Sequence, residues 1–216
     1  MFFSAAYALY EAWRTRWIAD DAYISFRYVL SFISGQGLTF NEGERVEGYT
    51  NFLWTVLLIP FRALDLDLEV VSLVLGCFFF GMLLCVFALC VRKALSLGLA
   101  GVALLALCAH RHLHIFATSG LETMLFTFLV STGVLLLALR DKATVPGKPE
   151  RQLAIFAFVS LALATLTRPD GGIIYAVCAG YLFVFEWRQN GPVSAARESV
   201  RNHLLSVGIL FPVLVA

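Results

Sequence analysis

The sequence predicts an all-α, polytopic membrane protein, on three observations. Of its 216 residues, 60% are hydrophobic and only 14% charged, against about 45–50% and about 25% in soluble domains. The mean hydropathy is +0.81. The apolar residues gather into uncharged runs near the length of a bilayer span. With a net charge of +1, this composition excludes a soluble enzyme, a disordered chain and a nucleic-acid binder. At ~20 residues per span plus loops, the length holds about six or seven crossings.

Residues 1–18 read as the exit half of a first helix whose start is missing. The run MFFSAAYALY is too short to span and lacks a basic leader, and Trp13, Arg14, Arg16 and Trp17 form an interfacial belt. Spans are expected at about 70–91, 94–109, 121–139, 152–167 and 171–187, with an incomplete one at 203–216. These ends suggest an N-terminal fragment of a longer protein. Cys77, Cys85, Cys90, Cys108 and Cys178 all lie inside apolar runs and read as small buried hydrophobes.

Basic residues give the orientation. Arg92, Lys93, Arg140, Lys142, Lys148, Arg151, Arg188, Arg197 and Arg201 account for nine of the sixteen Lys and Arg, while loops 110–122 and 168–170 hold only Arg111 and Arg168. The positive-inside rule makes the first set cytoplasmic. The whole segment 19–69 is then external. Within it, 52–64 (short, with Pro60) is an interfacial helix, not a crossing.

That external segment carries the candidate chemistry. Asp20 and Asp21 precede an amphipathic stretch, AYISFRYVLSFI, that forms a short helix stopped by Gly35 and Gly37. Glu42, Glu44, Glu47 and Arg45 follow, and 11–69 holds nine acids against five bases. Asp20 reads either as a helix N-cap, with Asp21 favoured by the helix dipole, or as a general base at the bilayer surface. Glu42 and Glu44 read first as an ordinary solvated turn. On the same face, TSGLET puts Glu122 at the start of a span, and TRPDGG puts Arg168 and Asp170 between two spans. Each set could snorkel or form a hairpin turn; together they point to a site. In HRHLH, His110 and His114 would share a helix face, a pattern more often solvated than metal-binding. No Gly-rich phosphate loop, GxSxG or HExxH occurs.

DDAYISFRYV, GQGLTFNEGERVEGYTNFLW, SGLET and RPDG, in that order, resemble the bacterial integral-membrane glycosyltransferases of the GT-C type. The pattern is similar to protein-mannosyltransferase and aminoarabinose-transferase relatives, and to terminal arabinofuranosyltransferase-type proteins. It covers nearly the whole chain. The resemblance implies a GT-C-type transmembrane helical bundle with an external first loop of juxtamembrane helices. It also implies a polyprenyl-phosphate sugar donor, a glycan, lipid or protein acceptor, and inversion at the sugar carbon. Asp20 maps to the general base, with Asp21 beside it. Arg27, Arg45, Glu47, Tyr49, Asn51, Glu122, Arg168 and Asp170 map to substrate binding. Asp20, Asp21 and Glu47 are the candidates should a divalent cation be held. Aminoarabinose transferases carry Lys where this chain has Gly48, so Arg27, Arg45 and Arg168 are the available phosphate-binding cations. The implied location is the bacterial cytoplasmic membrane, with membrane lipids around the bundle and the site facing the periplasm. The rival readings are a transporter subunit and a non-catalytic binder of lipid-linked sugar. Charges gathered at one face, with span interiors free of them, favour surface chemistry over transport.

Overall fold

A computed structural model of the chain describes residues 2–41, 50–140, 148–193, 195–197, 199–200 and 204. Among the described residues there are nine helices and no strand, as expected for an all-α membrane protein. They are α1 (Phe2–Arg14), α2 (Ala22–Ile33), α3 (Phe52–Ala63), α4 (Leu68–Ala94), α5 (Leu97–Cys108), α6 (Arg111–Ala117), α7 (Thr123–Arg140), α8 (Lys148–Thr167) and α9 (Gly171–Asn190). They fall into two compact units, Met1–Phe128 and Leu129–Ala216.

The first unit is organised around α4. Its 27 residues are uniformly apolar between Glu69 in the first turn and Arg92 and Lys93 in the last, charges that complement the helix dipole. Asp67 starts it as an N-cap, accepting from the backbone N–H groups of Glu69 (2.8 Å) and Val70 (3.2 Å). Against it lies α1, whose fully buried Ala8 and Ala12 are one turn apart. Small side chains allow that close approach, the usual basis of helix packing in lipid. Phe80, Leu83, Leu84, Leu104, Cys108, Ala117 and Met124 complete the core.

The short helices α2 and α3 pack on each other, and α3 also packs on α4. On α2 the buried set Ala22, Ser25, Phe26 and Val29 follows the i, i+3, i+4, i+7 spacing. The helix stops where expected, before Gly35 (φ +80°) and Gly37 (φ +78°). Its partner α3 buries Trp54, Thr55 and Leu58, and leaves Pro60 on the exposed side.

Several expected elements differ from the structure. The loop expected over 110–122 contains a helix, α6, and the span expected at 94–109 is only the 12-residue α5. At 1.5 Å per residue α5 reaches about 18 Å, short of the ~30 Å hydrocarbon core. Only α5 and α6 together, bent by 55° at the joint, are apolar and long enough for a crossing. Among the described residues α4 and α7 qualify alone, so two helices could span, or three with the bent pair. The expected spans 152–167 and 171–187 are α8 and α9, whose ends carry charge: α8 contributes an apolar helix over Arg151–Thr167, and α9 includes Glu186 and Arg188. The segment 203–216 lies outside the described residues, Leu204 excepted.

In the second unit α8 and α9 form a hairpin. At its tip a Cβ on Gly171 would sit 2.8 Å from the Ala164 carbonyl carbon. The core is Leu137, Ala157, Phe158, Leu161 and Leu182. Arg140, expected in a basic loop, instead ends α7 as a buried residue paired with the buried Glu186 of α9, its guanidinium 5.6 Å from the Phe185 ring. Each of these buried charges has the other as its partner.

One contact in the first unit leaves no room for a side chain. A Cβ on Gly76 would fall 2.1 Å from the Ala117 carbonyl oxygen, a backbone atom that cannot swing aside. Gly76→Ala should therefore lower stability by at least about 1–3 kcal/mol, the usual cost of overpacking. At Gly81, also inside α4, the added Cβ meets only Leu9 Cδ1 at 3.8 Å. Gly81→Ala should be neutral or slightly stabilising through helix propensity. Thermal unfolding of the two detergent-solubilised variants checks the contrast.

Candidate functional site

Two of the predicted site residues of the first unit, Asn51 and Glu122, meet at the turn Thr118–Glu122, between α6 and α7. In an apolar setting each polar group needs a partner, and here successive residues of the turn find theirs on different elements. Thr118 Oγ1 donates to the Ala12 carbonyl at the end of α1 (3.3 Å). The Ser119 carbonyl accepts from the Ala19 N–H just before α2 (2.9 Å). The Gly120 carbonyl accepts from the indole Nε1 of Trp54 on α3 (3.2 Å). Glu122 Oε2 accepts from Asn51 Nδ2 (3.1 Å).

Asn51, at the N-cap position of α3, is the centre of this arrangement. Its amide N–H₂ also donates to Ser25 Oγ on α2 (2.9 Å), and its Oδ1 accepts from Thr55 Oγ1 (3.1 Å). Ser25 and Thr55 are buried, and Asn51 is 9% exposed. The amide thus uses both its donor and its acceptor group to tie α2, α3 and the Glu122 turn together. Gly120 is required on two counts. Its φ is +78°, and a Cβ there would lie 3.0 Å from the Ala22 Cβ.

Asp20 and Asp21 are exposed and follow directly on the anchored Ala19. The capping role open to them is not made by their side chains. Asp21 occupies the N-cap position of α2 in helical geometry with no side-chain cap hydrogen bond, and neither carboxylate pairs with a described residue. Next to them, the Tyr23 hydroxyl donates to Glu69 Oε1 (2.8 Å). That bond first, then desolvation and the negative charges of Glu69, Asp20 and Asp67, hold the Tyr23 ionisation above the ordinary tyrosine range. Arg27 is exposed, its Nε donating to the Phe40 carbonyl (3.1 Å), while Phe40 packs on Tyr28 with ring centroids 5.8 Å apart. Arg27 therefore fastens the strap after α2 onto that helix.

The other predicted residues fall elsewhere. Arg45, Glu47 and Tyr49, with Glu42 and Glu44, lie outside the described residues. Arg168 and Asp170 belong to the second unit and pair with each other, Nε to Oδ1 at 3.2 Å and Nη2 to Oδ2 at 3.3 Å. Among the described residues no three His, Cys, Asp or Glu side chains group to hold a metal. His110 and His114 do not share a helix face as expected: His110 precedes α6 and lies 5.6 Å, ring to ring, from His112. His114 Nε2 donates instead to the Cys108 carbonyl. Sequence reasoning missed Ser25, Trp54, Thr55, Glu69 and the Ser119–Gly120 backbone. Of these only Trp54 and Gly120 carried a signal, one a large indole needing a partner, the other a glycine amid packed elements.

Two expectations follow. Asn51→Ala removes one group and leaves Ser25, Thr55 and Glu122 each short of a partner, so it should cost about 2–3 kcal/mol, whereas Thr55→Val should cost about 1. Chemical unfolding in one detergent compares them. The Tyr23–Glu69 bond has a pH signature. Because the folded ionisation is raised, its stabilisation is complete below the unfolded tyrosine value of about 10 and is lost as pH rises through the folded one. The stability gap between the parent and Tyr23→Phe should stay constant from pH 7 to 9.5 and close above it.

Comparison with known proteins matches this chain to two relatives. It is 33% identical over 178 residues to a terminal β-(1→2)-arabinofuranosyltransferase of Mycobacterium tuberculosis, covering 76% of this chain and 27% of that protein. It is 44% identical over 48 residues to a terminal β-(1→2)-arabinofuranosyltransferase of Corynebacterium glutamicum, covering 22% of this chain and 7% of that protein. No protein-family model matches, and no solved structure matches. The chain thus spans about a quarter of the length of the longer-matching relative. Over 76% of its own residues, it is homologous to the terminal arabinofuranosyltransferases.

Proposed function

We propose that the chain serves a glycosyltransferase of GT-C type that moves a sugar from a polyprenyl-phosphate donor to a glycan, lipid or protein acceptor. The reaction takes place at the outer face of the cytoplasmic membrane, inverts the sugar carbon, and uses Asp20 as general base. The homology to arabinofuranosyltransferases makes sugar transfer the reading to prefer. The observation that carries the site assignment is the state of the acidic pair: two exposed carboxylates that make no bond to a described residue, directly after a backbone anchor at Ala19.

The proposed chemistry follows from that placement. The acceptor hydroxyl is a weak nucleophile. Asp20 removes its proton as its oxygen attacks the anomeric carbon from the face opposite the phosphate. The bond between that carbon and the phosphate oxygen breaks, and the polyprenyl phosphate leaves with the electron pair. A guanidinium stabilises the charge it gains. Arg27 suits that role, since Nε alone is tied to Phe40 and the side chain is exposed. Arg168 would first have to exchange Asp170 for phosphate. Asp20 and Asp21 are two carboxylate donors that, with Glu47, would make up a set able to hold a divalent cation.

The test is sugar transfer from a polyprenyl-phosphate donor in membranes carrying the Asp20→Asn and Asp21→Asn variants, with expression and donor binding measured separately. Loss of a general base should lower the rate on the order of a hundredfold or more while leaving folding intact. Full activity of Asp20→Asn overturns the assignment. A dead Asp21→Asn beside an active Asp20→Asn moves the base by one residue.

A further inference from the structure

The HRHLH motif and the end of α1 enclose a cavity that the proposed transfer chemistry does not use. It has a volume of about 280 Å³ and is lined by Glu11 and Arg14 of α1, by Thr15 just past that helix, and by Arg111, His114 and Ile115 of α6. We propose that it holds the phosphate of a membrane lipid.

Charge is the first argument. Glu11 and Arg14 pair within the wall, Nη2 to Oε2 at 2.8 Å and Nε to Oε2 at 3.2 Å, so they add no net charge. Arg111 is exposed and makes no hydrogen bond or ion pair with a described residue, so the lining as a whole is cationic. An arginine fork is the side chain that matches a phosphate in shape as well as charge.

The second argument is depth. Trp13 and Trp17 are 41% and 43% exposed on the turns flanking the cavity. The Trp17 indole donates to the Ile115 carbonyl (3.0 Å), which fixes the α6 wall against α1. The Arg16 guanidinium lies 5.2 Å from the Trp13 ring centroid. Half-exposed tryptophans with arginines mark the headgroup level of a bilayer, where basic side chains meet lipid phosphates. His114 is held by the Cys108 carbonyl, and Thr15 Oγ1 by the Glu11 carbonyl (2.8 Å). The wall is therefore set before a ligand arrives. The inference needs only α1 and α6 at the bilayer surface and does not depend on sugar transfer.

The test uses the protein in nanodiscs with spin-labelled phosphatidylglycerol, with spin-labelled phosphatidylcholine as reference. The motionally restricted fraction should favour phosphatidylglycerol, and Arg111→Gln should cut that preference about fivefold, the contribution of one interfacial arginine. Arg16→Gln, next to the cavity but outside its lining, should change it little. Adding a polyprenyl phosphate identifies the source. Displacement of the label in the parent but not in Arg111→Gln assigns the cavity to that lipid's phosphate; no displacement assigns it to the phospholipid headgroup. An unchanged preference in Arg111→Gln overturns the proposal, and so does an equal loss in Arg16→Gln, which would reveal diffuse surface charge. Thr15→Ala, which leaves both arginines in place, checks that the wall rather than charge alone holds the lipid: it should weaken the restriction, and no effect in a folded variant overturns the built site.

Discussion

The first unit depends on a turn whose polar groups have almost no water to fall back on. Between α6 and α7 the chain presents the carbonyls of Ser119 and Gly120 and the carboxylate of Glu122 in succession. Their donors come from Ala19 just before α2, from the first turn of α3 and from α3's cap. In an apolar environment an unpaired carbonyl or amide costs several kcal/mol, so these bonds cannot be exchanged cheaply for solvent. The two short helices therefore have a defined register against the turn, although neither is long enough to be held by burial of a transmembrane stripe. Gly120 is the condition for all of it. Only a residue without a Cβ adopts its left-handed backbone while lying this close to Ala22.

That register bears on the general base proposed at Asp20. A general base on a free loop would have to be ordered in every catalytic cycle, at an entropic cost to the rate. Here Ala19 is bonded to Ser119, and Asp20 and Asp21 lead straight into a helix that is fastened to Asn51 through Ser25. The backbone is held there, while the carboxylates themselves make no bond to a described residue. A rigid scaffold beneath uncommitted functional groups is the arrangement positioned catalysis requires.

Much of this was legible in the sequence. The apolar runs and their charged ends marked α4 and α7. The Asp pair, the amphipathic stretch and the two glycines bounded α2, and the short Pro-containing run gave α3. Asn51 and Glu122 stood out as polar residues beside apolar spans. Their mutual bond did not, because the partners are 71 positions apart and neither residue type specifies the other. The Ser119 and Gly120 carbonyls were illegible for a deeper reason: a backbone acceptor has no residue signature at all. The helix α6 was missed because HRHLH is polar enough to read as a loop. It is helical because α6 packs on α1 and α4, tertiary contact outweighing local composition.

Two ion pairs of the second unit behave differently from the acidic pair of the first. Arg140 is buried with Glu186, and Arg168 forks onto Asp170. A buried guanidinium facing a carboxylate is held there by the penalty of leaving either charge alone, so the Arg140 pair is a fastening between α7 and α9. The Arg168 pair is more exposed and more exchangeable, at 3.2–3.3 Å with side chains 40% and 53% accessible. An anion bidding for its fork must still displace a covalently tethered competitor two residues away, whose effective concentration far exceeds that of a ligand. Arg27 and Arg111 face no such competitor among the described residues, and Asp20 and Asp21 face no cation. Among the described residues, the first unit thus carries charges of both signs that make no ion pair with one another. A reaction that takes a proton at one point and stabilises a departing phosphate at another needs that separation of uncommitted charges, and paired ions cannot provide it.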